Sequence, residues 1–222
     1  MDSPLHAVQS PYYYGDNAVR TPPPDLPSLL LKERIIYLGM PIVPAVTELI
    51  IAQLLYLQYE DPDKPVYFYI NSTGTSRYDG EPVGFETEAF AICDTMNYIK
   101  PPVHTICIGL AMGMAAVLLS GGTRGSRASL PNASIVLHQP RAYARGQASD
   151  IQIRAKEVLA NRATMLEILA QNTGQPTDKL SQDMNRMFYM SPQEAKDYGL
   201  IDRVLESPKE LSKAVPAIAP SL

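Results

Sequence analysis

A run of small residues at positions 109–116 joins an apolar segment to a helical pattern, and a turn of this type could do chemistry. Small side chains at the start of a helix let a substrate approach backbone N–H groups, which stabilise a developing oxyanion. Hydrolases with this arrangement place their nucleophile in the turn. Here no hydroxyl is available, because no serine occurs between Ser76 and Ser120 and the threonines of that interval lie outside the turn. The pattern therefore predicts a place for an oxyanion without a nucleophile.

His138 is the second candidate for chemistry, because it ends an apolar run that is typical of a strand. A histidine in that place can act as a general base, but only with a hydroxyl or thiol within hydrogen-bond reach. On this pattern alone we interpret it as a structural histidine. Cys107 lies in an apolar strand and Cys93 in a helical pattern, so we interpret both cysteines as small buried residues rather than nucleophiles.

The sequence does not predict a metal, nucleotide or nucleic-acid site. The three histidines, at positions 6, 104 and 138, lack the spacing with cysteine that is typical of zinc ligands. Neither of the common glycine-rich phosphate-binding motifs occurs. The net charge of −4 gives no excess of basic residues for phosphate contacts. We therefore expect no metal, no cofactor and no nucleic-acid partner.

The elements that must position these residues follow from the alternation of short apolar runs with helical periods after Arg34. This alternation predicts βαβ units around a mainly parallel sheet, hence an α/β fold. With 45% hydrophobic and 19% charged residues among 222, the chain has the composition of one that buries a core. We predict strands at 34–38, 66–70, 103–108 and 134–138 and helices at 45–59, 111–120 and 149–171, with a further helix of about 15 residues that ends near Pro101.

The helix predicted at 149–171 is the clearest single element. Ser149 and Gln152 form a capping-box pattern at its start, and Gly174 marks its end. Its 23 residues would span about 34 Å, which is long beside a compact α/β core. The helix either packs on its own domain or projects to meet another subunit, and the pattern leaves both interpretations open.

The two ends of the chain are rich in proline. Of the 20 prolines, eight lie in the first 44 residues and three in the last 15. Residues 1–28 show neither helical nor strand periodicity, so they form either a flexible leader or a docking arm, since polyproline II segments lose little entropy on binding. They match neither a secretory signal nor a transit peptide, and no run of 18 apolar residues occurs, so we expect neither export nor a membrane span.

From about Leu29 to Val204, the order of several sequence blocks resembles the caseinolytic ClpP family of self-compartmentalising serine peptidases. The matching blocks are Leu30–Ile36, Tyr69–Ser72, Ile108-Gly109, Leu130–Asn132, His138–Pro140, Gly146–Asp150, Tyr189–Pro192, Glu194-Ala195 and Tyr198–Asp202. The resemblance implies a ClpP/crotonase-like α/β fold of repeated β-β-α units, with a protruding handle at about 141–172, that assembles into stacked heptameric rings. It also implies a proline-rich arm at 1–28, a ClpP-like domain at 29–205 and a tail at 206–222.

The resemblance further implies a Ser–His–Asp triad, whose three positions fall on Gly113, His138 and Met187 of this chain. Only the histidine is kept. A glycine has no oxygen with which to attack, and a methionine cannot hold an imidazole in its tautomer or stabilise its charge. The backbone N–H groups that would serve as oxyanion donors fall on Gly74 and Met114.

The positions that the resemblance places along the peptide cleft also depart from the family pattern. They are Thr73, Thr75, Arg141, Ala142 and Tyr143. About eight residues more than in typical relatives follow Thr75, in a polar and glycine-bearing segment. Together with the incomplete triad, these changes resemble the ClpR-type paralogue, which keeps the fold and loses the chemistry.

That resemblance implies a non-catalytic, structural or regulatory subunit of a mixed ATP-dependent Clp protease core. Its partners would be active ClpP-type subunits in the same rings and a hexameric AAA+ ATPase, which the proline-rich arm could help to select. Gln147, Ser149 and Arg186 fall at contacts between rings, where Asn185 replaces an acidic neighbour of Arg186. Paralogues of this type are known from photosynthetic bacteria and plastids, so we expect the bacterial cytoplasm, with the plastid stroma as the alternative.

A residual serine endopeptidase is the alternative function. It would require a displaced nucleophile, and the candidates are Ser120, Ser126 and Ser129. None of the three lies in the turn at the start of the predicted helix, so the sequence favours the non-catalytic interpretation.

Overall fold

Seven helices and seven strands occur in the part of the chain that the computed structural model describes, residues 25–79, 81–141 and 145–206. The helices are α1 Leu26–Lys32, α2 Pro44–Glu60, α3 Glu86–Tyr98, α4 Met114–Ser120, α5 Ala148–Thr173, α6 Thr177–Asp183 and α7 Pro192–Tyr198. The strands are β1 Ile35–Leu38, β2 Val66–Ser72, β3 Val103–Met112, β4 Ala128–Ser129, β5 Ser134–Leu137, β6 Phe188–Met190 and β7 Arg203–Val204. The predicted α/β class is confirmed.

All seven strands join one sheet, and β3 is its centre. The order β1-β2-β3-β4-β7 is parallel throughout, while β5 pairs in parallel with β3 and antiparallel with β6. The far end of β3 lies between β2 and β5, because Ala111 pairs with both Ser72 and Ile135. The turn that follows β3 is therefore placed where the ends of three strands meet.

Helix α4 lies in the core. All of its seven residues are buried, which explains why its sequence consists of small and apolar side chains up to its last residue, Ser120. The helix packs on β3, β2 and β5 and on the neighbouring helices α3 and α5. Burial on all sides fixes its axis, so the residue that begins it is held in a constant position relative to the sheet.

A buried ion pair lies near the C-terminal end of α4. The Arg127 guanidinium binds the Asp202 carboxylate at 2.6 Å and donates to the backbone carbonyl of Asn172 at 2.8 Å. The same carboxylate accepts from the backbone N–H groups of Gly125 and Arg127 at 2.7 and 3.0 Å. This network, the Arg127–Asp202 clamp, ties the end of α5 and the start of β7 to the core.

The structure corrects three expectations about the bounds of elements. β3 continues to Met112, so α4 begins at Met114 and not at 111. α5 begins at Ala148 with Gln147 as its N-cap and no side-chain cap, so the capping box predicted at Ser149 is wrong. α1 begins at Leu26, so the expectation of no regular structure through residue 28 is wrong for its last three residues. The predicted end of α5 at Gly174 is confirmed, with φ 76°.

Helix α5 is packed along only part of its length. Its buried residues are Met165 and Leu169, in the C-terminal half, where the helix contacts α4 and α6. In its N-terminal half, Ile151, Ile153 and Leu159 are exposed. The interpretation that the helix packs on its own domain is therefore confirmed for its C-terminal half, and a contact with another subunit stays a prediction. Within the described residues, no helix combines the length and apolarity needed to cross a membrane.

Candidate functional site

Gly113 forms the turn between β3 and α4. Its backbone has φ 57° and ψ −118°, a conformation that residues with a side chain rarely adopt. Its N–H donates to the Val136 carbonyl in β5 at 2.8 Å, and its carbonyl accepts from Ala116 at 3.0 Å in the first turn of the helix. The backbone thus has the sharp strand-to-helix turn of a nucleophile site, and a residue without a side chain occupies it.

His138 directly follows β5 and faces that turn. Only 8% of the residue is exposed, and Nε2 lies 2.5 Å from the point where a Cβ on Gly113 would be. The Gln139 carbonyl is 2.9 Å from Nδ1, and since a carbonyl can only accept, Nδ1 carries the proton. Within the described residues, the buried Nε2 has no hydrogen-bond partner. The lone pair of Nε2 therefore points towards a glycine.

The environment of His138 keeps its imidazole neutral. Burial lowers the pKa of the ring, and the positive charge of Arg141 lowers it further. The hydrogen bond to the Gln139 carbonyl opposes this shift without reversing it. The histidine thus has the tautomer and charge of a general base, although a backbone carbonyl holds Nδ1 in place of a carboxylate.

Met187 lies at the end of the strand that pairs with β5. The last pair of the β5–β6 ladder is Leu137 with Phe188, so the next position along the ladder sets Met187 opposite His138. Its Sδ accepts a hydrogen bond from the Tyr189 hydroxyl at 3.6 Å. A thioether is a weak acceptor without charge, so this residue can neither orient an imidazole nor stabilise an imidazolium.

The two predicted oxyanion donors lie side by side. A Cβ on Gly74, which has φ 70°, would be 3.0 Å from the Met114 nitrogen and 2.5 Å from the Met112 carbonyl oxygen. The Gly74 N–H, however, donates to the Ser72 hydroxyl at 3.0 Å, and that hydroxyl donates to the Met40 carbonyl at 2.7 Å. The two segments therefore lie close together, the Gly74 N–H is engaged within the protein, and their role as oxyanion donors stays a prediction.

Ser72 is a further residue at this site, and the sequence alone marked it only as the end of the matching block Tyr69–Ser72. Its position two residues before a glycine in the segment 71–74 is typical of serines that bind a nearby backbone N–H. That spacing was the signal available. The Ser72 hydroxyl has a second partner, the carbonyl of Met40. Met40 is 32 residues away in the chain, so the local spacing does not predict this contact.

The additional segment after Thr75 closes into a hairpin. Ser76 pairs with Pro82 in an antiparallel bridge, and the Thr75 carbonyl accepts from the Val83 N–H at 2.9 Å. The Thr73 hydroxyl donates to the Ser76 carbonyl. Both altered threonines of the predicted cleft thus hold the base of this hairpin. Thr73 does so through its side chain and Thr75 through its backbone.

The hairpin ends against the handle helix α5 and encloses a cavity of about 210 Å³ with it. Arg154 lies 5.2 Å from the centre of the Phe85 ring and pairs with Glu157 at 3.2 Å. Burial raises the pKa of the Glu86 carboxyl, although hydrogen bonds and the charge of Arg154 oppose this shift. Arg141 also lines this cavity, whereas the cleft positions Ala142 and Tyr143 lie outside the described residues.

The serines considered as displaced nucleophiles are distant from this turn or otherwise engaged. Ser120 is at the other end of α4, about 10 Å along the helix axis from Gly113, and its hydroxyl donates to the Val117 carbonyl at 2.7 Å. Ser129 is buried in β4, where its hydroxyl donates to the Leu130 carbonyl. Ser126 lies in the loop between α4 and β4. The structure brings none of them beside His138.

Both cysteines are free and buried, as predicted. Burial raises the pKa of Cys93 and of Cys107 to about 11. A thiol with so high a pKa has almost no thiolate at neutral pH, which supports the interpretation of both as core residues.

The residues predicted to contact a second ring are all exposed. Gln147 is the N-cap of α5, Ser149 lies in its first turn, and Arg186 precedes β6. Asn185 accepts a hydrogen bond at 2.7 Å from the side chain of Gln139, the residue that also binds the His138 imidazole. The contacts of these residues with another subunit stay a prediction.

Comparison with known proteins agrees with this geometry. Residues 23–208 match the Clp protease family. The chain is 68% identical to an "ATP-dependent Clp protease proteolytic subunit-like" protein of Synechococcus elongatus, over 97% of this chain and 98% of that one. It is 54% identical to "ATP-dependent Clp protease proteolytic subunit 2" of Gloeobacter violaceus, with 94% and 93% of the two chains covered.

A plant relative extends the comparison. The chain is 49% identical to "ATP-dependent Clp protease proteolytic subunit-related protein 3, chloroplastic" of Arabidopsis thaliana, over 100% of this chain and 67% of that one. The turn, the histidine and the sheet that carries them thus occur in a chain that matches one family over most of its length. The protein belongs to the Clp protease family.

Proposed function

We propose that this chain is a non-catalytic, structural or regulatory subunit of a mixed ATP-dependent Clp protease core. One observation carries the proposal: the position that faces the His138 imidazole is Gly113, which has no oxygen or sulfur atom to attack a peptide bond. The base is present in the correct tautomer, and the group that it would activate is absent.

The missing groups remove most of the chemistry of a serine peptidase. Loss of the nucleophile alone lowers turnover by roughly 10⁶-fold in a serine protease. Without a carboxylate at Met187, the imidazolium formed during acyl transfer would lack its stabilising charge. The Gly74 N–H, already bonded to Ser72, would have to exchange that bond to serve an oxyanion. These defects are independent, so no single substitution repairs the site.

The retained features support a role in assembly. Three large apolar side chains, Ile151, Ile153 and Leu159, are exposed on the N-terminal half of α5. Exposed apolar groups gain free energy when a partner covers them. We propose that this handle contacts the opposite ring, with Gln147, Ser149 and Arg186 at its border, in stacked rings that active ClpP-type subunits complete.

The remaining parts of the proposal concern partners and location. A hexameric AAA+ Clp ATPase would supply unfolded substrate to the mixed core. In this proposal the chain consists of a proline-rich arm at 1–28, a domain at 29–205 and a tail at 206–222. The arm would contribute to docking of the ATPase. The similarity to cyanobacterial and chloroplast proteins supports the cytoplasm of a photosynthetic bacterium, with the plastid stroma as the alternative.

Labelling with a fluorophosphonate probe tests the loss of catalysis. The purified chain is expected to show no labelled serine, whereas an active ClpP-type subunit treated in parallel serves as the positive control. Labelling of any serine of this chain would contradict the proposal, and the modified position would identify the nucleophile.

The native mass of the complex tests assembly. The full-length chain is produced together with its sister subunits. We expect size-exclusion chromatography and native mass spectrometry to show intact mixed rings. A stable monomer in the presence of all sister subunits would contradict the structural role, whatever the outcome of the labelling.

A further inference from the structure

The space beside Gly113 is filled by the imidazole of His138. A Cβ built on this glycine would lie 2.5, 2.9 and 3.2 Å from the Nε2, Cε1 and Cδ2 atoms of the ring. Real Cβ atoms essentially never approach another heavy atom within 3.0 Å. Any side chain at position 113 therefore overlaps one edge of the ring, so the residue and the ring cannot both keep their places.

The ring is held where it is. His138 is 92% buried, and its Nδ1 donates to the Gln139 carbonyl at 2.9 Å. The strand before it is locked by the ladders that β5 forms with β3 and β6. The buried Nε2 lies without a hydrogen-bond partner among the described residues, although such an atom costs stability.

The backbone adds a second, separate obstacle. At φ 57° and ψ −118°, Gly113 has a conformation that is strained for any L side chain. Gly125 provides a comparison within the same chain, because it also has a positive φ, of 85°, but a Cβ there would meet nothing within 4 Å. The overlap with an imidazole is thus specific to position 113.

We infer that His138 is a packing group that occupies the place of the nucleophile's side chain, so that the site is closed sterically as well as emptied chemically. This inference rests on the proposed function, in which Gly113 stands at the nucleophile position. Its consequence is that a nucleophile added at 113 must first displace the histidine that would have to activate it.

A double-mutant cycle on the full-length chain tests the inference. We compare thermal unfolding of the wild type, Gly113→Ala, His138→Ala and the double variant. Gly113→Ala is expected to lower the melting temperature by roughly 5–10 °C, since it combines overlap with strain. In the His138→Ala background, the same change is expected to cost less than half as much, because only the strain remains.

Gly125→Ala, made in both backgrounds, is the matched control. It carries the penalty of a positive φ without the overlap, so its effect should be the same whether or not the imidazole is present. A coupling at Gly125 as large as that at Gly113 would overturn the inference, because it would show that loss of the histidine changes the response to any added methyl group.

The outcomes separate the inference from the function on which it rests. Aggregation of Gly113→Ala alone, with a soluble double variant, would support it as well. An equal cost of Gly113→Ala with and without the imidazole, including aggregation of both variants, would overturn it. Labelling by the fluorophosphonate probe or a monomeric native mass would instead contradict the proposed function and leave the cycle's result unchanged.

Discussion

A buried polar group lies at each end of helix α4, and the two ends differ in how their polar groups are satisfied. At the C-terminal end, the Arg127–Asp202 clamp pairs each charge with an opposite charge and with backbone groups. At the N-terminal end, the Nε2 of His138 lies against Gly113 and has no hydrogen-bond partner in the described part of the chain. The charged groups of the clamp are thus satisfied, whereas the neutral imidazole keeps one nitrogen without a partner among the described residues.

This difference has a physical basis. A buried charge without its partner destabilises the fold by several kcal/mol, so the clamp must remain complete. A neutral imidazole with one unpaired nitrogen costs only about 1–3 kcal/mol, which close packing of the ring can offset. The following predictions test the contrast, beginning with the largest expected effect.

Arg127→Ala should have the largest effect, because it leaves the Asp202 carboxylate in a mostly buried position without its cation. We expect a loss of about 3–5 kcal/mol in the free energy of unfolding, measured by urea denaturation. Arg124→Ala in the same loop is the control, since the exposed Arg124 donates only to the Gln171 carbonyl and should cost less than about 1 kcal/mol. Equal losses for the two variants would contradict the role given to the clamp.

Gly74→Ala should have the next largest effect. Its Cβ would lie 2.5 Å from the Met112 carbonyl oxygen, a backbone atom that cannot move aside, and its φ is positive. We expect a loss of about 2–4 kcal/mol in denaturant unfolding. Gly174→Ala shares the positive φ without a close contact and should lose only about 1–2 kcal/mol. If both changes cost the same, the turn at Gly74 is not held against the start of α4 as described.

The pH dependence of stability should separate the two ends of α4. Burial lowers the pKa of His138 below its ordinary 6.5, so below that pH the unfolded chain binds more protons and stability falls, by at most about 1.4 kcal/mol per pH unit. For Asp202, burial raises the pKa, but the hydrogen bonds and charge of Arg127 outweigh it and lower the pKa below 3.8. Its contribution is therefore present above that pH and lost as the pH falls through lower values.

His138→Gln tests whether His138 causes the first of these two losses of stability, the one that begins below pH 6.5. It should flatten the loss of stability that begins as the pH falls below 6.5 and leave the loss below pH 3.8 in place. The free energy of unfolding is measured by urea denaturation across this pH range. If its pH dependence is unchanged in the variant, groups other than His138 cause the first loss of stability.

Ile153→Ser in the handle should have the smallest effect on the chain itself. Because Ile153 is 68% exposed, we expect a change of less than about 0.5 kcal/mol in the unfolding of the isolated chain. The native mass of the mixed complex should nevertheless shift towards single rings. Lys156→Ser, an exposed polar position on the same helix, is the control and should leave the complex intact. Stable double rings with Ile153→Ser would contradict the handle contact.

Much of the fold could be predicted from local patterns. The apolar runs at β2 and β3 and the helical period of α2 are visible without any neighbour, and Gly174 marks the end of α5 through its own backbone freedom. The bounds of α4 were less accessible. Met112 belongs to β3 because β5 pairs with it there, and no local pattern reports a strand 24 residues further along the chain.

The candidate site divides along the same line. The absence of an oxygen at Gly113 and of a carboxylate at Met187 is a matter of residue type, which the sequence states directly. That the Ser72 hydroxyl, which accepts from the Gly74 N–H, also donates to the Met40 carbonyl, and that the His138 ring fills the space beside Gly113, are contacts between segments far apart in the chain. Only packing decides such contacts.

By itself, the sequence determined the family pattern, the type of most elements and the residue types at positions 113 and 187, because each depends on residue identity or on local periodicity. The tertiary structure alone decided what the remaining groups do. It set the imidazole of His138 against Gly113 and left Nε2 without a partner among the described residues, because β5 and the end of β3 are brought together by the sheet. Side-chain chemistry is local, whereas the volume available to a side chain is defined by its neighbours in space.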